Sequence, residues 1–386
     1  MTQPAALYAI HQTAAAEKPD SRRQRLPESA SLLLDVIRFS LALLVVIGHA
    51  TLPWFSSGWP PLLGWADIAV PGFFVLSGFM IRYVTEDRER DPRRYFISRA
   101  SRMYSVLLPA IVLTLVCRGV VAWRAPQYAA GLFPAEGAAF LAGHVAAHLL
   151  FFSQFWDHAV LLAPNLPLWS LGYEVPYYVF FGLLALCRGP WRWAAAALYA
   201  ALLGPQVLFL APLWWSGCWL YDLWQWLRRD RLWEVWAAVA CLIALVLLLA
   251  PLGGAALWIR FAHLRNPLLW IHQPPARATM LAYASGLVSW TAMLLGLCVS
   301  DHVRLSKQAR WARPVRRMAE GTFALYLFHY PLLCLIVPAN GQPLRTGWAT
   351  LLAVTAIVMF CVLLSTPIDA FKTWMRRRLT AQFAAR

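Results

Sequence analysis

The sequence predicts an all-α, polytopic membrane protein of about ten transmembrane helices with both termini cytoplasmic. Three observations carry that expectation. Of the 386 residues, 60% are apolar and 13% charged, against about 45–50% and 25% in soluble domains. Apolar runs recur at about 20 residues, the length a helix needs to cross roughly 30 Å of hydrocarbon. With the N-terminus inside, 27 of the 34 Lys and Arg residues fall in inside segments and five outside, the bias that orients membrane proteins. The mean hydropathy of +0.54 excludes a cytosolic globular enzyme and a disordered chain. A net charge of +16 would suit a nucleic-acid binder, but the charges sit in short blocks between apolar runs, so no nucleic-acid partner is expected. The 21 tryptophans suit the headgroup level of a bilayer.

The ten predicted spans are 33–53, 66–84, 103–123, 168–187, 191–210, 212–227, 233–251, 280–299, 320–338 and 347–367. The sixth is the weakest, being short and holding Tyr221 and Asp222. Residues 138–156 read as an interfacial helix because of His144 and His148. A cytoplasmic tail (1–32), a membrane domain (33–367) and a basic cytoplasmic tail (368–386) follow. Basic residues precede the first span, but that span is long and holds Arg38 and His49, so it reads as uncleaved. The long outside loops are 124–167 and 252–279. The seven cysteines lie in or beside apolar runs without metal-ligand spacing, and read as small buried hydrophobes.

Ionisable residues inside a span cost about 2.5–3.5 kcal/mol at the helix centre on insertion scales, which makes them functional candidates. In the first span, Arg38 and His49 are eleven residues apart: about three turns plus 20°, and roughly 16 Å of rise. They share a face at different depths, with Arg38 nearer the cytoplasm. Asp35 lies one turn below Arg38 and can pair with it. An interfacial ion pair and a headgroup-facing histidine would account for the same residues.

In the second span, Gly72, Ser77 and Gly78 permit close helix approach. Arg99 and Arg102, three apart at the start of the third span, suit phosphates, since each guanidinium is a planar fork of donors; ordinary positive-inside anchoring explains them equally. Glu174 stands at the outer end of the fourth span, with Tyr177 and Tyr178 behind it, and His49 is a plausible partner at a similar level. The ninth span contains Tyr326 and His329, the latter readable as a hydrogen-bonded core histidine. No metal is expected at His144, His148 and His158, which lack acidic or cysteine companions.

These segments together resemble the membrane acyltransferase-3 family. Arg38 with His49 is similar to its Arg/Lys-x10-His motif. The stretch FFVLSGFMI (73–81), Arg99-x-x-Arg102-x-Tyr104, WSLGYE (169–174) and YLFHYPL (326–332) follow in the family's order. The resemblance covers residues 33 to about 333. Two departures stand out: Val175 replaces the second of two adjacent acidic residues, so Glu174 alone carries over, and the acidic residue often found before the phenylalanine pair is absent around Pro71-Gly72.

The resemblance implies an integral O-acyltransferase of the bacterial inner membrane. It would move an acyl group, commonly acetyl, from cytoplasmic acyl-CoA to a hydroxyl of an extracytoplasmic glycan, with no cofactor besides the donor. His49 would be the general base and Glu174 would orient or charge-pair with it; a covalent acyl-histidine stays open. Arg99 and Arg102 would contact the CoA phosphates, and Arg38 with Asp35 would hold the donor or organise its channel. Ser77, Tyr178, Tyr326 and His329 are secondary candidates. With no esterase-like domain before Arg386, any onward hand-off would need a separate relay or polysaccharide-assembly protein. A transporter or flippase, or a non-catalytic partner in polysaccharide export, would also carry intramembrane Arg and His; twelve or more spans or visible repeats would favour transport.

Overall fold

In the computed structural model, the described residues are 26–60, 62–133, 137–156, 158–228, 236, 239, 276–300, 302–303, 311–336 and 341–384. All but two residues of the seventh predicted span (233–251), most of the N-terminal tail and most of the 252–279 loop lie outside them. Among the described residues the named elements are all helical apart from a two-stranded ribbon, β1 (Gln154–Phe155) paired antiparallel with β2 (His158–Ala159). The helices are α1 (Glu28–Ala50), α2 (Leu63–Asp87), α3 (Pro92–Arg124), α4 (Pro126–Leu132), α5 (Ala138–Leu149), α6 (Leu171–Phe181), α7 (Trp191–Leu203), α8 (Pro205–Leu227), α9 (Ala276–Ser300), α10 (Ala312–Glu320), α11 (Thr322–Ile336) and α12 (Gly347–Ala384).

Among the described residues, five helices are long and apolar enough to cross a membrane: α1, α2, α3, α9 and α12. The α10–α11 pair, bent by 55°, makes a sixth if taken as one broken span. Backbone chemistry explains where other helices depart from the predicted spans. The fourth is a 3₁₀ turn (Leu166–Ser170), the short α6, and a π turn (Gly182–Leu186) in series. Pro167 and Pro176 withhold N–H donors along this stretch. The predicted fifth span is divided at Gly204, whose φ of +80° suits glycine and is followed by Pro205 at the start of α8.

Two helices run past their predicted limits. α3 starts at Pro92, where the Asp91 side chain accepts from the Arg94 N–H, so the basic stretch from Arg93 to Arg102 is helical rather than loop. α12 continues without a break to Ala384, carrying the residues expected as a tail. The segment at 138–156 contains only the 12-residue α5, too short to span. Asp222, which weakened the sixth predicted span, accepts from Arg82 Nε at 3.0 Å.

The centre of the bundle depends on glycine. A methyl group at Gly78 would lie 1.9 Å from the Trp214 carbonyl oxygen, and one at Gly217 would lie 2.0 Å from that of Val75. α2 and α8 therefore touch backbone to backbone, as small residues allow in membranes. The Cys218 thiol faces the Gly78 carbonyl at 3.3 Å in the same seam. This contact sets Ser77 of α2 beside Trp214 of α8.

Candidate active site

α1, α2, α3, α6, α10, α11 and α12 surround a cavity of about 930 Å³. Six sequence candidates line it: Arg38, Ser77, Arg99, Arg102, Glu174 and Tyr178, with Tyr326 making a seventh. These residues span nearly 290 positions of sequence, and the helix packing alone gathers them. Asp35 stands behind Arg38, its Oδ1 3.6 Å from the guanidinium, the spacing that one helical turn provides.

Glu174 belongs to a hydrogen-bonded cluster in the cavity wall. The Ser77 hydroxyl donates to its Oε1 at 2.8 Å, and the Tyr178 hydroxyl, one turn along α6, donates to the same oxygen. Trp214 Nε1 donates to Ser77 Oγ at 3.2 Å. Tyr95 donates to the Tyr178 carbonyl at 3.0 Å, fixing that turn of α6 against α3. Ser77 therefore has two roles, packing at the α2–α8 seam and hydrogen bonding to the carboxylate.

The expected pairing of Glu174 with His49 is not found. His49 Nδ1 instead lies 2.9 Å from Nε2 of His329. His49 ends α1, which packs on α11, whereas the carboxylate of Glu174 accepts from Ser77 of α2 and from Tyr178 of its own helix. Carbonyl chemistry settles the tautomers. His329 Nδ1 lies 2.9 Å from the Leu325 carbonyl oxygen, which can only accept, so that nitrogen carries the proton. In neutral His329, Nε2 is then the acceptor, and His49 Nδ1–H donates to it. The remaining lone pair of neutral His49 is on Nε2. His329 is fully buried and His49 half-buried.

Aromatic rings link this pair to the cavity. Tyr326, which lines the cavity, has its ring 6.4 Å from that of His329 and 5.6 Å from that of Phe73. Its hydroxyl donates to Ser170 Oγ at 2.9 Å. On the other side, Tyr330 meets His49 edge-on at 5.2 Å, and Trp54 Nε1 donates to the Tyr330 hydroxyl at 3.3 Å.

Sequence reasoning missed Asn165. Pro331 has no N–H, so the Leu327 carbonyl one turn earlier lacks its helical donor. Asn165 Nδ2 donates to that carbonyl at 2.9 Å and to Thr114 Oγ1 at 2.9 Å. A buried asparagine thus completes the proline-interrupted turn that holds His329. The proline was a visible signal, but its remote partner was not.

Arg99 also departs from expectation. Its guanidinium donates to Glu89 Oε2 at 2.9 Å and lies over the rings of Tyr95 and Tyr178. Both partners of this ion pair are largely buried, so Arg99 is already neutralised where it stands. Arg102 is exposed at the cavity and, among the described residues, has no ion-pair partner.

Among the described residues, no group of three or more His, Cys, Asp or Glu side chains could hold a metal ion. On α5, His148 Nδ1 faces the His144 carbonyl at 2.9 Å, and burial holds the His148 imidazole below its ordinary pKa.

The family profile described as an acyltransferase domain matches residues 32–369. The chain belongs to the acyltransferase-3 family. Across 362 residues it is 26% identical to the "Putative peptidoglycan O-acetyltransferase YrhL" of Bacillus subtilis (strain 168). That alignment covers 86% of this chain and 52% of the relative, so the chain spans about half the length of the protein it matches. No solved structure matches it. The sequence motifs that carried the resemblance all lie inside the matched region.

Proposed function

We propose that this chain is a multi-pass O-acyltransferase of the bacterial inner membrane, with ten spans and both termini cytoplasmic. It would transfer an acyl group, first of all acetyl, from cytoplasmic acyl-CoA to a hydroxyl of an extracytoplasmic glycan. Two features support the direction of transfer. Six basic side chains line the cavity, which suits a polyanionic donor. The His49–His329 pair lies beyond Tyr326, at the C-terminal end of α1. The printed name of the Bacillus relative makes a peptidoglycan sugar the first acceptor to try.

The observation that carries the chemistry is the histidine pair. His49 Nε2, with its lone pair free, takes the proton of the acceptor hydroxyl as that oxygen attacks the thioester carbonyl. The C–O bond forms, the C–S bond breaks, and the CoA thiolate leaves with the proton returned from His49 Nε2–H. While His49 is cationic, the lone pair of His329 Nε2 accepts from its Nδ1–H. This assigns His329 the orienting task that a carboxylate performs in hydrolase triads. A buried neutral partner avoids the desolvation cost of a second charge in the bundle.

Glu174 is then a positioning residue of the donor channel. It fixes Ser77 and Tyr178 in the wall and offers a negative counterpart to Arg38, which lines the same cavity. Arg38 and Asp35 would hold the donor between its phosphates and its thioester. The test is direct: purified protein is offered radiolabelled acetyl-CoA and a peptidoglycan fragment. Label in the glycan supports the proposal; CoA-independent transfer or no transfer overturns it.

A further inference from the structure

The C-terminal part of α12 is the unexplained portion of the cavity. The family match ends at residue 369, yet the cavity is lined by α12 as far as Ala381. Its lining positions fall at 365, 368, 369, 372, 373, 376, 377, 380 and 381. That spacing is the 3.6-residue period of a single helix face. Within the run Arg376-Arg377-Arg378, the first two lie on this face. The third is directed elsewhere, its guanidinium 5.8 Å from the Trp374 ring.

The charges at this end are distinctive. Asp369 accepts from Lys372, and Arg99 is held by Glu89. Arg102, Arg376 and Arg377 are exposed, and among the described residues none has an ion-pair partner. Glu320 is the other carboxylate lining this end. Arg102, on α3, lines the same cavity as the α12 stripe. Three guanidiniums on two helices, without an ion-pair partner among the described residues, thus line one cavity, each a planar fork matched to phosphate oxygens.

We propose that Arg376 and Arg377, with Arg102 on α3, form a binding site for the phosphates of the donor's nucleotide. The assignment rests on the proposed acyl-CoA donor. It moves the main phosphate contacts from Arg99, whose charge is already met, to the part of α12 that lies beyond the family match. An anionic lipid headgroup offers the same phosphate chemistry. The periodic placement inside the cavity, with Arg378 on Trp374 outside it, favours the nucleotide.

The experiment measures binding of CoA and of pantetheine to the full chain in phosphatidylcholine nanodiscs, without turnover. R376A/R377A should weaken CoA binding roughly tenfold or more, as expected for charge-assisted contacts, and leave pantetheine binding unchanged. R376K/R377K should retain part of the affinity, and R378A should bind as wild type. Three results overturn the site: wild-type affinity in R376A/R377A, an equal loss in R378A, or a loss seen only when phosphatidylglycerol is added to the discs. If wild-type protein binds no CoA at all, the donor proposal itself falls, a failure visible before any substitution is made.

Discussion

His49 Nδ1 lies 2.9 Å from His329 Nε2, and the Leu325 carbonyl on the far side of His329 sets the direction of that hydrogen bond. The two imidazoles are therefore joined by one hydrogen bond, with the free lone pair at His49 Nε2, and on the proposed mechanism they work as one unit. A unit of this kind has measurable signatures.

Its members should not contribute additively. His49→Ala should reduce transfer by about 10²–10⁴, the range for loss of a general base. His329→Ala should cost less, and the double variant should be no slower than His49→Ala alone. Initial rates of label transfer at saturating donor decide this; additive losses would mean that the histidines act separately.

Asn165→Ala should destabilise the protein by about 1–3 kcal/mol, because the buried Leu327 carbonyl loses its side-chain donor. Pro331→Ala in that background returns an N–H to the turn and should recover part of the loss. Thermal unfolding in detergent reads both effects. A double variant less stable than Asn165→Ala would show that Asn165 serves another purpose.

Gly217→Ala should yield little folded protein, since its methyl group would lie 2.0 Å from the Val75 carbonyl oxygen. Backbone cannot rotate away as a side chain can, so α2 and α8 must separate, an overpacking cost of about 1–3 kcal/mol or more. Gly119→Ala is the control, because its added methyl meets nothing within 4 Å. Monodisperse yield by size-exclusion chromatography compares them; equal yields would contradict the close seam.

Glu174→Gln should keep the fold and impair donor use, because the amide retains an oxygen for Ser77 and Tyr178 but loses the charge facing Arg38. The apparent KM for acetyl-CoA should rise more than kcat falls. A fall in kcat at unchanged KM would place Glu174 at the reacting atoms instead.

Much of this site was legible in the sequence, for identifiable reasons. Arg38 and Asp35 are a turn apart on one helix, so local geometry was enough to foresee their pairing. Ser77, Glu174 and Tyr178 could be singled out as polar groups in apolar runs, and they do share one wall. What sequence cannot supply is which polar group meets which across helices. His49 was matched to Glu174 by depth, whereas the packing of α1 on α11 gives it His329. Arg99 looked equivalent to Arg102 until the fold placed Glu89 beside it. Helix limits failed where interruptions are local: Gly204 with Pro205 divides an apolar stretch that hydropathy reads as continuous. Conversely, α12 extends into a charged segment that hydropathy reads as tail.

The most direct test is single-turnover transfer by wild type and His49→Ala, with labelled acetyl-CoA supplied only at the cytoplasmic face of sealed inverted vesicles. Acylated glycan should form inside the wild-type vesicles, and His49→Ala should bind the donor normally yet acylate no glycan above background. Transfer by His49→Ala at near wild-type rate, or labelled glycan only when the acceptor is also outside the vesicle, would contradict a base at His49 serving a donor that crosses the bundle.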